Sequence, residues 1–357
     1  MKQRVLEILS DLVACDTQNP PRGIESQGPV YRCLTQWLDP SFELRVEDYG
    51  IGRVNWLAVR GKPTRLFNVH LDTVPAAEGW SHPPLQLSLD AEKAYGRGVC
   101  DIKGAAACLI AAANQSDNVA ILFSSDEEGA QSCCITEFCR SADASLFDSF
   151  VIAEPTGCQA VLGHRGYLSV TGKFQGISGH TSQHQLLAKS ANHLAARWVA
   201  EALQQVAEFE VAHLNGESTC FNVGRIEGGL KNNMVSEHCT VTWSARMPAG
   251  FLNQKLLQAL QIEDTPETQW QTTFDGPPLP GSPGQHQETQ VWCQEQGLEV
   301  ANDVDFWTEA ALFARLGKPT IVLGPGDISQ AHTVDEWVAI EQLEQAANRY
   351  LKLMQQG

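Results

Sequence analysis

Two histidines and a set of carboxylates stand where apolar runs of this 357-residue chain stop. NVHLDTVP places His70 and Asp72 two positions apart, so on an extended chain both side chains point the same way. A histidine there is a good zinc ligand, and a carboxylate beside it can fix its tautomer. The plain alternative is a satisfied histidine at a strand end. ILFSSDEEGA (121–130) ends a second apolar run in Asp126, Glu127 and Glu128. Acidic runs usually mark a solvated turn. Neighbouring side chains diverge, however, so one glutamate can bind metal while the other faces a water or a substrate. Metal hydrolases need that division of labour: the ion lowers the pKa of a bound water and an unligated carboxylate takes its proton. Asp126 reads as a turn residue or a supporting partner of the other two.

Three more positions extend the pattern. YGRGVCDIKGAAA (95–107) sets Asp101 on a glycine-flanked turn that leads into a helix. There it serves equally as a cap or, with two oxygens and a close approach, as a bridge between two ions. Glu154 closes SFVIAEP (149–155), and His332 lies in the loop LGPGDISQAHTVDEW (323–337). Each position has an ordinary structural explanation. Jointly, two histidines with three or four carboxylates at strand ends and loops suit a two-zinc site.

The elements that must position these residues follow from apolar patterning. Strand candidates at 53–60, 65–71, 118–125 and 149–155, separated in places by helical stretches around 103–114 and 130–141, predict an α/β sheet covered on both faces. In such sheets ligands bind beyond the carboxyl ends of the strands. From about residue 166 the order changes to β-α-β-β-α-β, the ferredoxin-like plan. After DGPPLPGSPG (275–284) the α/β pattern returns, with helices near 285–297 and 308–316, a strand running into a loop over 319–327 and a final helix from about 340. The expected organisation is a catalytic domain in two parts, 1–165 and 275–357, around an insert at 166–274.

Composition narrows the function classes. Net charge is −17 with no basic block, so a nucleic acid would be repelled. No apolar run approaches the ~18–20 residues of a membrane span. The first residues, MKQRVLEILSDLVACDTQNPP, read as an amphipathic helix rather than a signal peptide. Eleven scattered cysteines without a CxxC pair read as reduced thiols of a cytoplasmic protein.

HLDTVP, GRGVCDIKG, SSDEEG, AEPTG, ISGHTS and GPGDISQAH occur in the order found in the dinuclear-zinc M20 family of metallopeptidases and deacylases, which the chain resembles over nearly its whole length. DFWTEAALFARLGKPTIVLGPGDISQAHTVDEW is similar to the acetylornithine deacetylase branch. GRIEGGLKNNMVS with FDGPPLP looks closer still to the acetylcitrulline deacetylases of that branch. The resemblance implies a zinc-peptidase α/β domain whose ferredoxin-like insert is a lid and dimerisation domain, hence a homodimer. It implies two Zn2+, with Co2+ or Mn2+ also accepted: His70 and Glu154 on one ion, Glu128 and His332 on the other, Asp101 bridging. Asp72 would orient His70, Glu127 would be the general base, and His180 would polarise the scissile carbonyl. Asn233 and Arg246 match positions that grip the substrate's carboxylate, for which a planar guanidinium is suited; an ordinary surface salt bridge is the alternative for Arg246. Glu309 matches an acidic position near the substrate pocket. Ser236 and Ser244 depart from the proline and aspartate common in the family, and neither is a ligand position. The implied reaction is hydrolysis of the acetyl amide of a small N-acyl amino acid of arginine biosynthesis, N-acetyl-L-citrulline or N-acetyl-L-ornithine. A desuccinylase of succinyl-diaminopimelate, a dipeptidase or carboxypeptidase, and a non-catalytic metal binder are the competing readings.

Overall fold

In the computed structural model, residues 1–21, 23–129 and 133–357 are described, without the side chain of Pro283. The chain forms two compact units. One comprises Met1–Leu162, Pro283–Asp303 and Thr308–Gly357; the other comprises Gly163–Ser282 and Val304–Trp307. Val304–Trp307 falls in the second unit because Trp307 packs there: its Nε1 donates to Pro277 O at 3.0 Å and its ring meets Phe274.

The principal strands, in chain order, begin with β1 (Glu43–Asp48), β2 (Val54–Arg60), β3 (Arg65–His70), β4 (Val119–Ser124) and β5 (Ser149–Ile152). The insert contributes β6 (Tyr167–Gln175), β7 (Asn222–Gly228), β8 (His238–Ala245) and β9 (Thr268–Gly276), and β10 (Thr320–Val322) follows it. The first unit holds a six-stranded sheet in the order β1-β2-β4-β3-β5-β10. Its strands β4, β3, β5 and β10 are mutually parallel; at one side β2 runs antiparallel to β4, and β1 antiparallel to β2. All residues of β3 and β4 are buried, the polar Arg65, Asn68 and His70 of β3 included, as strands covered on both faces require.

The helix Lys103–Ala113 is buried along its entire length. Its alanines allow close approach of the helices Lys2–Ala14 and Ile340–Met354, which both pack on it. Carboxyl ends of neighbouring parallel strands lie side by side, so β4-β3-β5 brings the segments after Ser124, His70 and Ile152 to one edge of the sheet.

In the second unit the sheet order is β7-β8-β6-β9, all antiparallel, with the helix Ala191–His213 between β6 and β7 and the helix Asn253–Ala259 between β8 and β9. That is the ferredoxin-like arrangement. Strand β8 alternates buried and less buried residues, and its inward face packs with Ala195, Ala202, Val206 and Phe209 of the long helix. Gly172 on β6 is required by close approach: a Cβ there would lie 2.4 Å from the ring of Trp270.

Local boundaries differ from the patterning in places. The long helix of the insert spans Ala191–His213, and the segment near 308–316 forms only Ala310–Ala314. The helix expected near 130–141 is seen as Cys133–Arg140; residues 130–132 lie outside the described residues. The helix Pro29–Trp37, the edge strand β1 and a small sheet of Ser88–Leu89, Lys93–Tyr95 and Trp337–Ala339 lie outside the expected elements. Among the described residues, no helix is long and apolar enough to cross a membrane.

Candidate metal centre

His70 is the last residue of β3 and is 2% exposed. Its Nδ1 lies 3.0 Å from the Asp72 carbonyl oxygen, which leaves Nε2 facing outward from the strand end. That nitrogen lies 3.2 Å from Asp101 Oδ1 and 3.3 Å from Glu154 Oε1. His332 Nε2 lies 3.0 Å from Glu128 Oε1 and 3.3 Å from Asp101 Oδ2. Two groups of ligand atoms result, His70-Asp101-Glu154 and Asp101-Glu128-His332, each with its atoms within 4.8 Å of one another. Asp101 belongs to both and turns one oxygen to each. Its Oδ1 is buried and has no well-directed hydrogen bond.

Asp72 is fully buried and holds more than His70. Its Oδ2 accepts from Asn19 Nδ2 at 2.8 Å and from the Glu128 backbone N–H at 3.0 Å, while Oδ1 accepts from the Glu127 N–H at 3.3 Å and lies 3.4 Å from His70 Nδ1. Asp72 therefore holds the imidazole chiefly through its carbonyl oxygen and, through its carboxylate, the turn that carries both glutamates. Asp126 is not a solvated turn residue. It is fully buried and accepts from Cys133 N–H at 2.7 Å and from Cys134 N–H at 3.2 Å, where the helix Cys133–Arg140 begins with unpaired backbone donors.

The electrostatics are those of anions packed around two imidazoles. Burial opposes a charge on His70, but Glu154, Asp101 and Asp72 outweigh it and hold its pKa well above the ordinary value. Hydrogen bonds to Asp101 and Glu128 push His332 up to about 11. Burial raises the Asp101 carboxyl, yet contacts with His332 and His70 prevail and leave it well below the usual range. Burial, partly offset by His332, brings Glu128 up to about 7. Desolvation also pushes Glu127 well above the ordinary range, His70 opposes this, and Glu128 and Glu154 add to it. Two imidazoles and three converging carboxylates, with a buried unbonded oxygen among them, fit a pair of borderline-to-hard divalent cations that would replace the bound protons.

Glu309 is 1% exposed; its Oε2 accepts from Ser124 Oγ at 3.1 Å and its Oε1 lacks a hydrogen-bond partner among the described residues. It therefore lies beneath the end of β4 and not on an open surface. On the second unit, His180 and Asn233 come together through a two-stranded ladder of Gly179–His180 with Met234–Val235, and Thr181 N–H donates to Asn233 O at 3.4 Å. His180 is exposed, with Nδ1 2.8 Å from Ser182 Oγ. Arg246 is half-buried with its guanidinium 4.4 Å from the centroid of the Tyr167 ring, and among the described residues it makes no ion pair. Sequence reasoning missed Asn19, Ser124 and Glu336. Asn19 and Glu336 stand in DTQNPP and HTVDEW, but nothing in either segment names the partner.

Residues 66–356 match the family described as peptidase family M20/M25/M40. The N-acetyl-L-citrulline deacetylase of Xanthomonas campestris pv. campestris is 43% identical over 347 residues, covering 95% of this chain and 94% of that protein. An acetylornithine deacetylase of Proteus mirabilis is 30% identical over 347 residues, covering 90% of this chain and 87% of that protein. Among solved structures, an M20 family metallo-carboxypeptidase from Sulfolobus solfataricus superposes with a TM-score of 0.72 at 17% identity, over 99% of both chains. Aminopeptidase PepT from Bacillus cereus gives a TM-score of 0.72 at 18% identity, over 99% of this chain and 98% of that one. At such identities the two structures speak for the fold.

Proposed function

This chain belongs to peptidase family M20/M25/M40, and from that premise we propose that it hydrolyses the acetyl amide of N-acetyl-L-citrulline, with N-acetyl-L-ornithine as the second candidate. The observation that carries the choice is the 43% identity to a citrulline deacetylase over 95% of the chain, against 30% or less to the acetylornithine deacetylases compared. The overall reaction adds one water across the amide and yields acetate and the free amino acid of arginine biosynthesis.

His70 and Glu154 would hold one zinc ion, Glu128 and His332 a second, and Asp101 would contribute an oxygen to each; cobalt or manganese also suits this donor set. When bound, the ions supply Lewis acidity that lowers the pKa of a water and polarises the acyl carbonyl. Glu127 is the general base: its carboxyl has a raised pKa, takes a proton from the attacking water and returns it to the leaving amine. Asp72 keeps His70 and the Glu127-Glu128 turn in register through the bonds described above. His180 donates to the developing oxyanion, and Asn233 and Arg246 bind the substrate carboxylate. The buried position of Glu309 against Ser124 favours support of the base from below over direct contact with substrate.

The cytoplasm fits eleven cysteines that are all free thiols. A homodimer fits the second unit, whose outer strand β7 is exposed along nearly its whole length and leaves an edge that a second copy could extend.

Acetate release from N-acetyl-L-citrulline and N-acetyl-L-ornithine by the zinc-loaded protein, beside N-succinyl-L,L-diaminopimelate and a dipeptide panel, tests the reading. A kcat/KM at least about tenfold higher for the citrulline substrate is expected, equivalent to ~1.4 kcal/mol in the transition state. Faster turnover of the succinyl substrate or of a dipeptide overturns the substrate assignment. Two bound zinc ions without any turnover leave a metal-binding protein.

A further inference from the structure

Asp101 and His332 come from segments far apart in the chain, and the residue that joins them is not one of the donors. Glu336, four positions after His332, is fully buried. Its Oε1 accepts the backbone N–H of Cys100 at 2.9 Å and of Asp101 at 3.0 Å. Its Oε2 accepts the Gly98 N–H at 3.0 Å and Arg97 Nη1 at 2.7 Å. The Glu336 carbonyl also accepts the Gly96 N–H at 3.1 Å, and the residues that follow pair with Lys93–Tyr95. A turn that points three amide protons at one side chain needs tight backbone geometry. Gly98 provides it at φ +87°, where a Cβ would press within 2.9 Å of Thr73 Cγ2.

A carboxylate is the side chain that can take four donors on two oxygens, and the guanidinium of Arg97 offsets its buried charge. Glutamine in its place would set an NH2 group against backbone N–H groups on one side. We propose that Glu336 is a positioning residue: it locks the turn 97–101 so that each oxygen of Asp101 faces its own ligand group, and it ties that turn to the segment bearing His332. Its own oxygens are engaged by this turn, so it acts through Asp101. The proposal rests on the two-metal reading given above.

The test is a Co2+ titration of chelator-stripped protein, followed by its visible absorption, on the full chain and on Glu336→Gln, with kcat and KM on the better acetyl substrate. The full chain is expected to bind two ions. Glu336→Gln should bind at least one of them about 10- to 100-fold more weakly with an altered spectrum, as loss of partners that orient metal ligands generally does. Its kcat should fall with KM nearly unchanged. Wild-type affinities and spectrum in folded Glu336→Gln overturn the proposal, even with a lowered Tm, because Glu336 would then serve folding alone. Should that variant not fold, Glu336→Asp, which keeps the charge on a shorter arm, is read in the same way. A wild-type protein that binds fewer than two ions instead defeats the two-metal reading, so the two failures are distinct.

Discussion

Replacing Asp72 by Asn keeps the shape of the side chain and turns one acceptor oxygen into a donor NH2. The carboxylate lies among donors on both sides: Asn19 Nδ2 and the Glu128 N–H at Oδ2, the Glu127 N–H and His70 Nδ1 at Oδ1. The least costly placement sets the NH2 at Oδ1, where the hydrogen bond is the longest of the three at 3.3 Å. One hydrogen bond to a charged group is then lost and two others become neutral. With such bonds contributing ~1.5–3 kcal/mol and neutral ones ~1 kcal/mol, the bond lost costs ~1.5–3 kcal/mol and the two neutralised ones ~0.5–2 kcal/mol each, a net loss of about 2.5–7 kcal/mol. If that loss falls on the transition state, kcat/KM drops by about 60-fold at the least and about 10⁵-fold at the most, at ~1.4 kcal/mol per decade. Whatever share falls on the ground state appears instead as lower unfolding free energy. Urea denaturation and steady-state acetate release on the same zinc-loaded preparation separate the two. Asp72→Asn within threefold of wild type in kcat/KM, with an unchanged urea midpoint, would show that this carboxylate positions nothing of consequence.

The other expectations concern neighbouring groups. Glu127→Gln retains two zinc ions per chain and loses about 10²- to 10⁴-fold in kcat, the usual worth of a general base; more than a tenth of wild-type turnover removes Glu127 from that role. Asp126→Ala strips the acceptor from Cys133 and Cys134 at the start of their helix and should lower stability by about 1–3 kcal/mol in urea, with kcat per folded molecule close to wild type. An unchanged urea midpoint for that variant contradicts the helix-start role. In metal-free protein His332 titrates at about 11 and His70 well above its ordinary value, so both carry protons at neutral pH. Zinc must displace those protons, so apparent affinity rises with pH and falls as acid restores them. An indicator-dye titration near neutral pH should record about two or more protons released for the pair of ions, and no release would contradict the assigned ligands.

Much of this centre is legible before any fold is built, because parallel strands covered on both faces must be continuous apolar runs. FNV before His70 and AILF before the acidic triplet announce such strands, and their carboxyl ends necessarily share one edge of the sheet. The βαββαβ order of the insert is legible for a similar reason, since β6 and β8 alternate buried and less buried residues and the long helix buries Ala195, Ala202, Val206 and Phe209 along one side. Edge strand β1, ELRVED, escapes because its alternation rests on Leu44 and Val46 alone, both only half-buried between charged residues, which is too short a signal to stand out. The chain's own residue types thus decide which donors exist, in what order, and at which strand ends. Tertiary structure alone decides that Asp101 turns one oxygen to each imidazole, that Asp126 is buried at a helix start, and that Asp72 and Glu336 grip backbone N–H groups distant in sequence. Hydrogen bonds and pKa shifts depend on distances of a few ångströms and on exclusion of water. Those quantities exist only once the segments have been brought together.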